Sequence, residues 1–330
     1  MHKKAVSLLS GGLDSLIATK IMLEEGIEVE ALHFTSPFCT CTKGNKGCGI
    51  QAVRTASELG LEVKVKTKGL DYLEIVKAPK HGYGRAMNPC IDCRIFMLKH
   101  ARQFMDEIGA SFIVTGEVLG QRPMSQRRDT INLIERESGL QGLIVRPLSA
   151  KHFPATIPEQ EGIVNRGKLL GITGRSRKGQ YDFAHSHGLT EFSCPGGGCL
   201  LTDPIFARKL KDLFTYQPKF TMSDVALLKI GRHFRLDEET KLVLGKNQDE
   251  NSRLASFHTP PSILLSPVGF KGPVGLLTGV VRDDAVKQAA NLMSYYGKNN
   301  SFPVTVKGTG GTASLHAVDQ HDVDIDSLMI

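Results

Sequence analysis

The stretch Ser10-Gly11-Gly12-Leu13-Asp14-Ser15 does most to limit what this chain can become. Before it runs Ala5, Val6, Leu8 and Leu9, an apolar stretch that reads as a short buried strand. After it, residues 16–25 read as an amphipathic helix: Ile17/Ile21 and Ala18/Met22 recur at four-residue spacing, and Gly26 closes the pattern. A glycine pair at such a junction lets the backbone turn tightly and expose its N–H groups. With a helix N-terminus behind them, those donors form a nest for an oxyanion. Ser10 and Ser15 add hydroxyl donors, and Asp14 is a carboxylate suited to a magnesium ion that bridges phosphate oxygens. No Lys follows the glycines, so the GxxxxGK[ST] phosphate loop is excluded.

The 330 residues exceed what one hydrophobic core usually serves, so two or three domains are expected. An apolar share of 41% is ordinary for a globular chain. No run approaches the roughly 20 apolar residues that span a bilayer. A strand begins almost at residue 1 and leaves no room for a signal peptide, so the expected location is the cytoplasm, without membrane contact. A net charge of +7 favours a polyanionic partner. Seven cysteines, an odd number without export signals, argue against a disulfide framework and for metal or sulfur chemistry.

Strand patterns at 29–34, 61–65, 111–114 and 143–147 alternate with helical patterns at 50–59, 95–108 and 130–138. That order predicts an α/β doubly wound parallel sheet over residues 1–155, with helices on both faces. Ligands of such sheets lie at the carboxyl ends of the strands. His33 and Phe34 stand at one such end, and Thr115, Gly116, Gln121 and Arg122 form a turn at another. Gly116 permits close backbone approach, and Arg122 can meet a phosphate. Two basic loops, 77–87 with Lys80 and Arg85 and 174–180 with Arg175, Arg177 and Lys178, suit the backbone phosphates of a nucleic acid, and the second suits ATP phosphates equally.

Cys90 and Cys93 head a helix in a Cys-x2-Cys pair, which holds two sulfurs close enough for one metal centre. Thioredoxin-like redox chemistry is the other use of that spacing. Cys199 follows three glycines that free its backbone, and it is expected to meet Cys90 and Cys93. Cys39, Cys41 and Cys48 form a compact trio on one loop, suited to a second metal site or a persulfide relay. Residues 156–215 read as a cysteine-bearing extension packed on the first domain, 216–307 as a smaller α+β domain, and 308–330 as a tail that is weakly structured or docks late. There is no internal repeat.

The Ser10–Ser15 motif resembles the SGGxDS pyrophosphate loop of the PP-loop ATPases, which split ATP between the α and β phosphates. With Cys90, Cys93 and Cys199, the first two-thirds resembles the tRNA thiolation enzymes of that superfamily: the 4-thiouridine and 2-thiouridine synthetases of the iron–sulfur-dependent type. The resemblance implies an adenine nucleotide α-hydrolase-like fold that binds ATP and Mg²⁺ through Ser10, Gly11, Gly12, Leu13, Asp14 and Ser15. It implies Cys90, Cys93 and Cys199 as ligands of a [4Fe-4S] cluster whose fourth iron stays open. It also implies tRNA as substrate, a sulfide or persulfide carrier as sulfur donor, and a homodimer as the common assembly. The reaction implied is adenylation of a uridine carbonyl, releasing pyrophosphate, followed by replacement of its oxygen by sulfur. Asp14, Cys90, Cys93 and Cys199 are the catalytic residues so implied. Residues 241–247 and Glu250-Asn251 are similar to an NFACT-type RNA-binding domain, which adds Lys246 to the RNA contacts. The N-terminal RNA-binding domains of 4-thiouridine synthetases and the rhodanese domain are not found in these residues. Nitrogen transfer by the same adenylating fold, a disulfide route through Cys93 and Cys199, and a non-catalytic RNA-binding translation factor stay open.

Overall fold

A computed structural model describes residues 2–40, 48–190, 192, 198–297, 305–308, 311–316 and 325–330. The chain divides into two compact units, 1–203 and 204–330.

In the first unit the strands are β1 (Lys4–Leu8), β2 (Glu28–Thr35), β3 (Val63–Thr67), β4 (Phe112–Val114) and β5 (Ile144–Val145). The helices are α1 (Leu13–Glu24), α2 (Cys48–Glu58), α3 (Leu70–Lys77), α4 (Cys90–Glu107), α5 (Arg128–Ser138), α6 (Ile157–Gln160) and α7 (Lys178–Ser186). All strands are parallel, in the order β3-β2-β1-β4-β5, so the sheet is doubly wound as the alternation predicts. Strand order reverses between β1 and β4. The crevice therefore opens where the Ser10–Ser15 turn and the Thr115–Gly116 turn leave the sheet side by side.

Successive residues of one strand feed opposite faces, which is why both faces can be apolar. Ala5, Phe112 and Val114 pack with Leu16, Ile17 and Met22 of α1. Val6, Leu32 and Ile113 pack with Ile95, Leu98 and Met105 of α4 and Ile134 of α5. Residues 156–189 lie on the α1 face, where Val164, Leu169, Ala184 and Leu189 join that core. β3 departs from the alternating strand expected at 61–65, with no buried position. It is an edge with Lys64 and Lys66 exposed, and edge lysines discourage pairing with a second sheet. Helix α3 had no counterpart in the sequence reading.

The second unit contains α8 (Pro204–Tyr216), α9 (Met222–Leu227), β6 (Arg232–Arg235), β7 (Thr240–Leu244), α10 (Gln248–Ala255) and β8 (Ile263–Val268). It continues with β9 (Gly275–Gly279), α11 (Asp283–Tyr296), β10 (Thr305–Gly308), β11 (Gly311–His316) and α12 (Ile325–Leu328). Its antiparallel sheet runs β11-β10-β8-β9-β7-β6, and α11 covers one face through Ala289, Ala290, Leu292 and Met293. The boundary at 203/204 assigns α8 to this unit, not to the extension. Its inward face explains the placement: Asp212 pairs with Arg235 and Lys241, and Lys209 Nζ donates to the Gly231 carbonyl at 3.0 Å. Of the two expectations for the tail, its described residues favour docking. β11 pairs with β10, and Ile330 N donates to the His233 carbonyl at 3.0 Å. Among the described residues no helix is long and apolar enough to cross a membrane.

Candidate functional site: a phosphate cradle joined to three thiols

Gly11 turns the chain out of β1 with φ +77°, a conformation a side chain resists. Gly12 then caps α1 in an extended conformation, and Asp14 falls in the first helical turn. The hydroxyls satisfy one another: Ser10 Oγ and Ser15 Oγ lie 2.9 Å apart, and Ser15 Oγ donates to the Gly12 carbonyl at 2.9 Å. The first-turn N–H groups of α1 have no intrahelical acceptor, so the cradle presents donors and a positive helix end.

Asp14 is held by one oxygen only. Gln121 Nε2 donates to Oδ2 at 2.9 Å, Gln180 of α7 donates to Gln121 at 3.4 Å, and Arg177 lies 3.8 Å from Oδ2. Oδ1 is buried without a hydrogen-bond partner among the described residues. A lone buried carboxylate oxygen beside a donor-rich cradle fits a Mg²⁺ ligand. Of the two uses read from sequence for the Arg177 loop, RNA or ATP phosphates, its place beside Asp14 favours the second.

Gly116 explains its own identity. A Cβ there would lie 2.5 Å from the Asp14 carbonyl carbon and from Ser15 N, so the β4 turn presses directly on the cradle. His33 is buried, and its Nδ1 lies 2.8 Å from the Leu9 carbonyl that precedes the cradle. Burial pushes its pKa down, which keeps the ring neutral with Nδ1–H as donor. Phe34 packs its ring into the α4 face of the core. Thr115 is buried and donates to Glu117 Oε2 at 3.2 Å.

Three thiols converge beside this cradle. Cys90 and Cys93 lie one turn apart at the start of α4. Cys199 is brought to them by backbone bonds: Leu200 N donates to Phe38 O at 2.8 Å, and Met87 N, three residues before Cys90, donates to Leu201 O at 3.0 Å. Cys90, Cys93 and Cys199 are free and partly buried; Cys93 acts on Cys90, and both act on Cys199. Burial, with the neighbouring Cys93, pushes the Cys90 thiol up, while Arg122 and Asn88 oppose it. Burial pushes the Cys199 thiol up to about 11. Arg122, expected on a phosphate, therefore acts on Cys90. Among the described residues no three His, Cys, Asp or Glu side chains surround a single ion. A cluster would ask less of them than one ion does, because its ligands bind separate irons.

Cys39 is opposed to Cys199 across a backbone bridge and is disulfide-bonded, which removes its thiolate from metal ligation in this state. Cys41 and the side chain of Cys48 lie outside the described residues. Of the remaining basic candidates, Lys80 pairs with Glu137 at 2.7 Å, Arg85, Arg175 and Lys178 are exposed, and Lys246 is exposed in the second unit.

The sequence reading missed what joins the two halves. Glu117, 2% exposed, accepts from Arg94 Nε at 3.0 Å and from Arg146 Nε at 2.9 Å, and Arg146 also pairs with Glu135. Burial alone would raise the Glu117 carboxyl, but Arg94 and Arg146 hold it at about 2. The reading also missed Lys68, whose Nζ lies 3.0 Å from Cys93 Sγ, and Tyr72, which hydrogen-bonds Cys93.

The family model for "Thiamine biosynthesis protein (ThiI)" matches residues 1–168, and that for the "NFACT protein RNA binding domain" matches residues 231–324. A "Probable tRNA sulfurtransferase" of Thermococcus kodakarensis is 31% identical over 168 residues, covering 51% of this chain and 41% of the relative. One of Lysinibacillus sphaericus is 32% identical over 145 residues, 44% of this chain and 34% of the relative. The chain thus spans less than half the length of these relatives. A solved structure described as a 4-thiouridine synthetase–RNA complex with bound ATP is similar at 24% identity and a TM-score of 0.36, covering 68% of this chain and 52% of that one. Since the first model covers just over half of the 330 residues, the chain belongs to the thiamine biosynthesis protein (ThiI) family.

Proposed function

We propose that this protein is an ATP-dependent tRNA sulfurtransferase acting in the cytoplasm. One observation carries the reading. The segment Thr115–Glu117 touches both halves of the site, with Gly116 on the Asp14–Ser15 peptide and Glu117 on the arginine that follows Cys93. A phosphate cradle built that rigidly against three free thiols suits activation and sulfur transfer on one substrate.

A uracil carbonyl oxygen does not leave as oxide, so it must first be activated. The O2 or O4 of a tRNA uridine attacks the α-phosphorus of ATP, the bond to the β-phosphate breaks, and pyrophosphate departs. The cradle's N–H groups stabilise charge on the phosphates, and Asp14 would hold a Mg²⁺ that, when bound, adds to that stabilisation. Hydrosulfide then attacks the activated carbon, AMP departs with the former carbonyl oxygen, and loss of the sulfur's proton leaves the thiocarbonyl; a persulfide donor would need, in addition, a second thiol to cleave its S–S bond. A [4Fe-4S] cluster held by Cys90, Cys93 and Cys199 would supply, when bound, an iron without a protein ligand at which sulfide is presented. Arg85, Arg175 and Lys178, with Lys246 of the NFACT-like unit, supply salt-sensitive attraction for the tRNA backbone, and the target base must be splayed out to enter.

The test is anaerobic purification with iron and acid-labile sulfide assays on the wild type and on Cys90→Ala, Cys93→Ala and Cys199→Ala. It is run beside an assay for tRNA-dependent AMP and thiouridine. The reading expects iron in the wild type, its loss in each variant, and AMP formation that needs Asp14. Thiouridine formed by iron-free wild-type protein would overturn the cluster, and absence of AMP would overturn the adenylation.

A further inference from the structure

Lys68 follows β3 directly. Its backbone N–H donates to the Thr35 carbonyl at 3.1 Å, which fixes where the side chain starts. The residue is 6% exposed, yet it makes no salt bridge among the described residues. Arg146, the other buried cation of this unit, has two carboxylates, Glu117 and Glu135. The Lys68 ammonium has instead the Cys93 sulfur at 3.0 Å and the face of the Tyr72 ring, 4.8 Å from its centroid. The ring is itself fixed: Tyr72 is 1% exposed, and Phe38 and Phe96 flank it at centroid distances of 6.3 and 5.4 Å. A sulfur and a ring face balance a buried ammonium poorly, because such a cation needs a charged or strongly accepting partner. A cation aimed at a group of thiols and left without its own carboxylate marks a place for a further anion.

We infer that Lys68 is the binding residue for the anionic sulfur that enters the three-cysteine site, its ammonium pairing with hydrosulfide there. This rests on the sulfurtransferase reading and adds a residue and a ligand charge to it. The pairing is a binding step only: hydrosulfide enters as an anion and no electrons move. Arg94 cannot take the role, because Glu117 already neutralises it. Lys68→Met keeps length and removes the charge. Lys68→Arg keeps the charge and changes its shape.

The experiment titrates sodium sulfide, anaerobically, into reconstituted wild type, Lys68→Met and Lys68→Arg. The change in the electron paramagnetic resonance spectrum of the reduced cluster is followed, with iron content and thermal melting of the apo-proteins measured alongside. Removing a buried charge partner should weaken hydrosulfide binding about tenfold or more in Lys68→Met, with partial recovery in Lys68→Arg. Iron content and melting should stay near wild type. Equal sulfide affinity in wild type and Lys68→Met overturns the inference and leaves the proposed function standing. Iron lost from Lys68→Met and retained by Lys68→Arg also overturns it, because the cation then serves the resident group and not the incoming anion. Wild type that takes up no iron overturns the proposed function and this inference with it.

Discussion

Arg94 Nε donates to Glu117 Oε1 at 3.0 Å, and that bond ties the residue after Cys93 to the residue after Gly116. Arg146 closes the group from the end of β5 with a second bond to Glu117 at 2.9 Å. The thiol helix, the β4 turn and the sheet's last strand therefore share one buried charge. Buried pairs of this kind add little net stability when intact, yet they cost much when one partner is removed. Their value here is positional.

Glu117→Gln should therefore destabilise the first unit by about 3–5 kcal/mol, because Arg94 and Arg146 lose their common counter-charge. Urea unfolding measures it. The pH dependence follows from the carboxyl being held at about 2 against an ordinary 4.5. Between those values the unfolded chain binds a proton that the folded chain refuses. Stability is thus complete above about 4.5 and is lost as pH falls toward 2. The variant should lack that part of the acid slope, and an unchanged slope would count against the assignment.

Gly116→Ala should act on the nucleotide side alone. The added Cβ would meet backbone atoms of Asp14 and Ser15 at 2.5–2.6 Å, and backbone cannot swing aside as a side chain can. The cradle must shift, at a cost of about 1–3 kcal/mol in stability. ATP affinity should fall about tenfold, since a cradle displaced by a fraction of an ångström misses its phosphates. Iron content of the same preparation should hold. Equilibrium dialysis with ATP and an iron assay separate the two, and loss of iron with intact ATP binding would refute the placement.

Asp14→Asn should lower tRNA-dependent AMP formation by about 10²-fold or more while the fold survives. Gln121 still has an oxygen to meet, and the buried, unpartnered Oδ1 position gains a donor in place of an acceptor. A melting temperature at or above wild type, together with the lost turnover, is the expected pair of results. Turnover within threefold of wild type would remove Asp14 from the metal and phosphate chemistry.

What the sequence disclosed here is what lies close together along it. Ser10 to Ser15 advertises a cradle because strand, glycines and helix follow within a few residues. Cys90 and Cys93 advertise a pair because one helical turn separates them. Glu117 and Lys68 gave no such signal. In Thr-Gly-Glu-Val the glutamate looks like an ordinary turn charge, and in Val-Lys-Val-Lys-Thr-Lys the lysine looks like one more surface cation. Each acquires its role only when the order β3-β2-β1-β4-β5 sets distant strand ends beside one another. Helix α3 did carry a signal: Gly69 precedes Leu70, Leu73 and Val76 at helical spacing, and Leu73 and Val76 are buried. The strand at 311–316 carried almost none, since its pairing with β10 is a backbone matter and all its residues but Leu315 are small or polar.

The second unit offers a separate pH test. His233 on β6 is 1% exposed; its Nε2–H donates to the Ile230 carbonyl at 2.7 Å, and Nδ1 is buried without a partner among the described residues. Burial first, then the positive charges of Lys209, Lys241 and Lys246, hold its pKa well below the ordinary 6.5. The folded unit therefore refuses a proton that the unfolded chain accepts below about 6.5. Stability is whole above that value and falls as pH drops through it, by up to about 1.4 kcal/mol per pH unit. His233→Gln keeps a donor for Ile230 and cannot titrate, so its urea midpoint should decline less between pH 7 and pH 5 than the wild type's. Equal declines would show that other histidines set the slope and that Nδ1 is reached by solvent.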